Sequence, residues 1–372
     1  MSSSLRILML TCHPTIRGPF AKILPLLGSA LRTEGCTVVE EPWGRHHDEE
    51  SFFKKLADRP GDIARVRRRL AREKFDVLYI HTTTEWANYS RDIPVLMLCR
   101  RLVRRCVLQF HGSTPDQVLG PGQAAFKRAT RQLLRLTDGV FVLSTEERQR
   151  WGQFHPEGRF DVVCNPFQPS AGDVRNGEPL PWTLPAGVPV LIYVGRLIRE
   201  KGIYDLLDAL ARWKGQQPFH LLVAGQGPEE DAFRARIREL GLEANVTLTG
   251  YLDNERLRRA YRAADLFVLP SWSEGFPTVI TEAMDAGLPV VTTYLRGAAD
   301  HLQEGVHACF VPPRAPDKLA ETLRRVLNDR PLRERMAEAN RGKVREFAPD
   351  VVARHQKQLL QEILAGEARP VT

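Results

Sequence analysis

The chain has 372 residues, 43% hydrophobic and 26% charged, which suits two domains of roughly 100–200 residues and leaves no room for a large disordered part. The formal charge of +8 is one-sided: residues 1–170 carry 26 Lys/Arg against 18 Asp/Glu, whereas residues 171–372 carry 27 of each. Six cysteines without a Cys-x-x-Cys pair exclude a zinc finger and a dense disulfide framework, and a reducing cytoplasm is the expected setting.

The apolar run Leu5 to Leu10 is too short for a secretory signal and reads as a first strand, Arg6–Leu10. Short apolar runs between turn signals continue at Cys36–Val39, Val77–His81, Cys106–Phe110, Gly139–Leu143 and Asp161–Val163, with helical stretches between them. That alternation predicts a parallel sheet covered by helices. His46, His47 and Asp48 read as a solvated polar loop, because no further His or Cys stands nearby at ligand spacing. Arg100, Arg101, Arg104 and Arg105 interrupt the apolar stretch between Ile93 and Phe110, well short of the ~18–20 residues of a membrane span.

Prolines at 166, 179, 181, 185 and 189 mark a linker. Beyond it the rhythm repeats at Val190–Val194, Phe219–Ala224, Val246–Thr249, Leu266–Leu269, Val290–Thr292 and Cys309–Val311. After Pro316 the pattern turns helical, and Pro349 to Leu364, apolar at Val351, Val352, Leu359, Leu360 and Ile363, predicts a final amphipathic helix bracing the domains. The expected fold is α/β: two Rossmann-like domains facing across a cleft. The first, acceptor domain spans 1–165, the linker 166–189, the second, donor domain 190–348, and the last helix and tail 349–372.

Two clusters carry chemistry. The strand ending at Val194 runs through Gly195, Arg196, Glu200, Lys201 and Gly202 into a helix. A glycine there admits backbone to a phosphate, and Arg with Lys can neutralise a diphosphate. Alone, the segment reads as a solvated basic turn. The second cluster is Pro270-Ser-Trp-Ser-Glu274-Gly275-Phe276-Pro277-Thr278 with Glu282 beyond it. Pro277 suits the first turn of a helix ending at Gly287, which places Glu274 in the preceding loop and Glu282 about one turn inside. Two carboxylates so spaced can contact different parts of one extended ligand while the helix N-terminus faces its phosphates. Gly225-x-Gly227 lacks a third glycine and is followed by Pro228, which argues against a dinucleotide fingerprint.

Tyr193-Val-Gly-Arg-Leu197, Glu200-Lys-Gly202, Ala224-Gly-Gln-Gly-Pro228, the Glu274 cluster with Glu282, and Ala286-Gly-Leu-Pro-Val-Val291 together resemble the "family four" retaining glycosyltransferases, whose fold is the two-Rossmann GT-B architecture. The resemblance is specific over residues ~190–312 and extends to the first half only in general layout. It implies that Arg196 and Lys201 bind the diphosphate, Glu282 the nucleotide ribose and Glu274 the sugar hydroxyls. Gly275, Phe276, Pro277 and Thr278 would supply backbone contacts, and the loop holding Tyr251 would lie by the nucleobase. His111, at the end of a strand, resembles the family's active-site histidine, with a purely structural histidine as the alternative. Gly18 resembles a phosphate-contacting glycine, although Pro14-Thr-Ile-Arg-Gly18-Pro departs from the usual paired glycines.

The implied reaction moves a hexosyl group from a nucleoside diphosphate sugar to a hydroxyl of a glycan or lipid-linked acceptor, with retention, in cell-envelope polysaccharide synthesis. No carboxylate stands out as a covalent nucleophile, which favours front-side attack with the departing diphosphate taking the acceptor's proton. The chain contains no Asp-x-Asp, the motif that holds the metal in the other main glycosyltransferase fold, so neither a metal nor another cofactor is expected. The alternative is a sugar-nucleotide epimerase of similar architecture. No motif supports a nucleic-acid partner despite the basic balance. Arginines at 65, 67, 68 and 69 and at 100, 101, 104 and 105 predict that the first domain meets an anionic membrane surface, the cytoplasmic membrane's inner face. The alternative is that they merely solvate two helices.

Overall fold

The computed structural model describes residues 4–16, 18–44, 52–113, 115–170 and 182–366. Arg17, the His46–Asp48 loop and the Pro179–Pro181 part of the linker lie outside the described residues. The chain forms two compact units, Met1–Gln168 with Phe347–Thr372, and Pro169–Glu346.

In the first unit six parallel strands, β1 (Arg6–Thr11), β2 (Thr37–Pro42), β3 (Phe75–Thr83), β4 (Val103–Gly112), β5 (Gly139–Val142) and β6 (Phe160–Val162), lie in the order β2-β1-β3-β4-β5-β6. Each strand was expected from its apolar run. Those runs are near-continuous because helices cover both faces: Leu8, Leu78, Ile80 and Leu108 pack on one side and Ile7, Met9, Val77 and Val107 on the other. The strand order reverses between β1 and β3, where connections leave in opposite directions and a crevice opens at the carboxyl ends.

The second unit repeats the plan with β7 (Val190–Val194), β8 (His220–Ala224), β9 (Val246–Gly250), β10 (Leu266–Leu269), β11 (Val290–Thr293) and β12 (Ala308–Val311), ordered β12-β11-β10-β7-β8-β9 and parallel throughout. Its order reverses between β7 and β10. Both chemistry-bearing clusters follow these two strands, so the topology itself delivers them to one crevice.

The last helix, Pro349–Ala365, packs into the first unit, where Val352, Ala353, Leu359, Leu360 and Ile363 join the core. Arg159 ties it down through Glu362 at 2.7 Å, and Arg105 Nε donates to the Ile363 carbonyl at 3.1 Å. Val351, expected on the apolar stripe, is instead 39% exposed; one residue before Val352, it faces about 100° away around the helix. Among the described residues no helix is long and apolar enough to cross a membrane.

Candidate active site

In the second unit the loop leaving β7 is laced to its neighbours by backbone. Gly195 N donates to Ala224 O at 3.0 Å, Leu197 N to Gln226 O at 3.0 Å, and Gly225 N to Gly250 O at 2.8 Å. A Cβ at Gly225 would stand 1.9 Å from the Gly195 carbonyl oxygen, and one at Gly227 2.2 Å from that of Leu197. Gly225-x-Gly227 is therefore a backbone-packing device, which accounts for two glycines outside any dinucleotide fingerprint. The Gly195 N–H is committed to Ala224, so what the glycine offers a ligand at this strand end is the absence of a side chain.

The turn at Arg199–Lys201 ends at Gly202, whose φ of 69° and close approach to Pro270 require a glycine. Ser271 Oγ and the Trp272 N–H both donate to the Glu200 carbonyl, at 3.1 and 2.7 Å. These bonds clamp the two loops, and Lys201 Nζ comes within 2.6 Å of Glu274 Oε1, both side chains mostly buried. Arg196 is exposed and has no ion pair among the described residues, whereas Arg199 is engaged by Glu229. The site thus holds one neutralised cation–anion pair and one uncommitted guanidinium.

Glu282 lies in the helix Thr278–Asp285, which Pro277 caps from just outside rather than starting as its first residue. Tyr261, fully buried, donates from its hydroxyl to Glu282 Oε2 at 3.0 Å. Burial, with Glu282 alongside, raises the tyrosine's pKa far above its ordinary value, so it stays a donor. Burial and the neighbouring Glu274 act likewise on Tyr193, whose hydroxyl donates to the Arg196 carbonyl at 3.1 Å. Gly275 O accepts from Gly297 N at 2.9 Å, Phe276 is buried, and Thr278 opens the helix whose first N–H groups have no intrahelical acceptors. Tyr251, just past β9, is 65% exposed. Trp272 donates from Nε1 to Asp205 Oδ2 at 2.7 Å, and Arg314, held at φ 57°, stacks 4.2 Å from its ring centroid. No motif gives Tyr193, Asp205, Tyr261 or Arg314 a role; they are identified only by what they touch.

In the first unit Gly18, at φ 120°, precedes the helix Pro19–Thr33 after β1. His111 sits at the carboxyl end of β4, against Phe20 with ring centroids 4.8 Å apart. Its Nε2 lies 2.9 Å from Nδ1 of His81 on β3. Burial pulls the His111 pKa down to about 3, partly offset by Asn165, and holds His81 well below the usual imidazole range. Both rings are neutral near pH 7.

A family model described as glycosyl transferases group 1 matches residues 179–343, and one described as glycosyltransferase family 4 matches residues 29–170. An α-D-kanosaminyltransferase of Streptomyces kanamyceticus is 31% identical over 184 residues, 49% of this chain and 46% of that protein. Such matches span about half the length of the curated relatives. The solved sucrose-phosphate synthase of Thermosynechococcus elongatus superposes with a TM-score of 0.78 at 22% identity, covering 98% of this chain and 100% of the other. Anabaena HepE in complex with UDP-glucose does so at 0.72 and 21%, covering 96% and 100%. At these identities the likeness shows the fold. With both halves matched by glycosyltransferase models, the chain belongs to the group 1, family 4 glycosyltransferases.

Proposed function

We propose that the protein transfers a hexosyl group, with retention, from a nucleoside diphosphate sugar to a hydroxyl of a glycan or lipid-linked acceptor in cell-envelope polysaccharide synthesis. The observation that carries this reading is the Lys201–Glu274 pair at 2.6 Å beside an uncommitted Arg196, at the switch point of the second sheet. Lys201 and Arg196 would hold the diphosphate, Glu274 the sugar hydroxyls and Glu282, steadied by Tyr261, the ribose. Exposed Tyr251 would stack on the base, and Gly275 to Thr278 would line the sugar and phosphates. Within the first unit, Gly18 would contact a phosphate and His111 would be the active-site histidine. As the glycosidic bond breaks, negative charge grows on the diphosphate, where Arg196, Lys201 and the helix N-terminus stabilise it. The departing phosphate oxygen takes the acceptor's proton. Anabaena HepE, a structural neighbour, binds UDP and UDP-glucose, which makes a uridine diphosphate sugar the first donor to try.

A thermal-shift panel of nucleoside diphosphate sugars tests the reading, since a ligand at 100 times its Kd adds about 2.7 kcal/mol of stability. One base and one sugar should stand out. An enzyme that interconverts donor sugars without acceptor would instead be an epimerase, and a panel without a hit would overturn donor binding.

A further inference from the structure

Trp272 stands two residues before Glu274 in the loop that leaves β10, and three other segments meet on it. Its N–H donates to the Glu200 carbonyl at 2.7 Å, in the loop after β7, and its indole Nε1 donates to Asp205 Oδ2 at 2.7 Å, in the first turn of the helix Ile203–Ala211. The guanidinium of Arg314, from the segment after β12, lies 4.2 Å from the ring centroid. The half-buried indole thus has a carboxylate at its N–H edge and a cation over its face. A carboxylate accepting from the N–H enriches the ring in electron density, and a richer ring holds a cation more firmly. Among the described residues Asp205 makes no other hydrogen bond or ion pair, and Arg314 makes no ion pair.

Arg314 is held over the ring at a conformational cost. Its φ of 57° lies in the left-handed region, where a glycine would be unstrained. Pro312, Pro313 and Pro316 stiffen the segment and confine the residue before each of them, so the turn falls on Arg314. An exposed cation–π contact returns about what that conformation costs, so the arginine adds little to the stability of the fold. Strain kept without a gain in stability is characteristic of residues that serve a neighbouring site. Here the neighbour is Glu274, whose loop takes its course from the indole. Lys201 is placed by other means: Ser271 Oγ and the Trp272 backbone both donate to the Glu200 carbonyl, and Gly202 packs against Pro270. None of these contacts needs an indole.

We propose that Trp272, latched between Asp205 and Arg314, is a positioning residue that aims the Glu274 carboxylate, so that the latch sets affinity for the sugar of the donor and not for its diphosphate. The proposal deepens the reading of Glu274 as the sugar contact and rests on it. A loop free to turn Glu274 away would lose that contact and release Lys201 from its partner at 2.6 Å; Lys201 and Arg196 would still be there to hold the phosphates. Arg314 acts through the indole and touches no substrate.

Arg314→Gly removes the guanidinium and relieves the backbone, so its Tm should hold or rise. Nitrogen-15 NMR of the full chain, labelled at tryptophan and assigned with Trp272→Phe, follows the amide and indole N–H groups of Trp272. Both should exchange with solvent faster in Arg314→Gly, because the latch opens more often. Titration calorimetry then compares the nucleoside diphosphate sugar selected by the thermal-shift panel with its bare nucleoside diphosphate. Arg314→Gly should weaken the first about fivefold, as when the productive loop falls to about a fifth of the population, and change the second by less than about twofold. Arg314→Lys, which keeps a cation over the ring, should recover most of the difference. Unaltered exchange of both N–H groups, equal weakening of both ligands, or no weakening of either would overturn the proposal. A panel without a hit would instead sink the reading of the donor site and leave the exchange rates to decide whether the latch holds the loop.

Discussion

Lys201 and Glu274 neutralise each other at 2.6 Å, so an arriving diphosphate must compete with a carboxylate for the lysine, whereas Arg196 is already free to meet it. On the proposed reading, removing Lys201 or Glu282 takes away a charged contact to the ground-state donor. Lys201→Ala and Glu282→Ala should each raise donor Kd roughly tenfold or more, given about 1.5–3 kcal/mol for a hydrogen bond to a charged group. Arg196→Ala should act mainly on kcat, by about 10²–10³, if it stabilises charge that grows in the transition state. Isothermal titration alongside turnover separates the two effects, and wild-type kcat in the Arg196 variant would remove it from the mechanism. The same cationic set leads to expected activity in EDTA; loss on chelation, restored by manganese or magnesium, would count against it. The groups just named were legible in the sequence as candidates, because motif spacing singles them out. Tyr261, His81 and Asp205 were not, because their meaning depends on partners 21, 30 and 67 positions away brought close by the fold.

Strands were the readable elements: in a parallel sheet covered on both faces, burial leaves an uninterrupted apolar run. The helix Pro349–Ala365 was readable as a helix but not in its placement, because an amphipathic stripe says that a face is buried and not against what. Glycines divide in the same way. Gly202 and Gly215 both have positive φ, 69° and 73°, yet a Cβ at Gly202 would sit 2.0 Å from the Pro270 carbonyl oxygen and one at Gly215 would meet nothing within 4 Å. Gly215→Ala should therefore cost only the conformational term, about 1 kcal/mol. Gly202→Ala should cost roughly 2–4 kcal/mol, since β10 must move away from the loop that carries Lys201. It should also weaken donor binding. Urea unfolding of the pair checks this, and equal losses would show that the loop-to-loop approach is not tight in solution.

Across the whole molecule the charge excess of the first half was plain, but which arginines are available was not. Arg65 and Arg69 are held by Glu41 at 2.7 and 2.8 Å, Arg104 by Asp76 at 3.0 Å and Arg105 by Asp138 at 3.4 Å. Arg67, Arg68, Arg100 and Arg101 are exposed and have no ion pair among the described residues. Close to the latter two in the chain stand Met97, Leu98 and Leu102, exposed by 58, 49 and 36%. Arginines beside exposed apolar side chains suit the boundary between lipid headgroups and acyl chains, and each basic residue near an anionic leaflet contributes about 1 kcal/mol. Arg100 to Leu102 precede β4, and His111 lies near its far end; ten residues at ~3.3 Å separate them by about 30 Å. A bilayer met at this edge would serve an acceptor whose glycan is long enough to cover that distance. Vesicle co-sedimentation should show binding to phosphatidylglycerol-containing but not pure phosphatidylcholine vesicles, weakened by salt. Glutamine at 67, 68, 100 and 101 together, or serine at 97, 98 and 102, should reduce binding severalfold, whereas Arg104→Gln with Arg105→Gln should change it little. Equal partition onto both vesicle types, or onto neither, would remove the membrane and leave a soluble glycan as the acceptor.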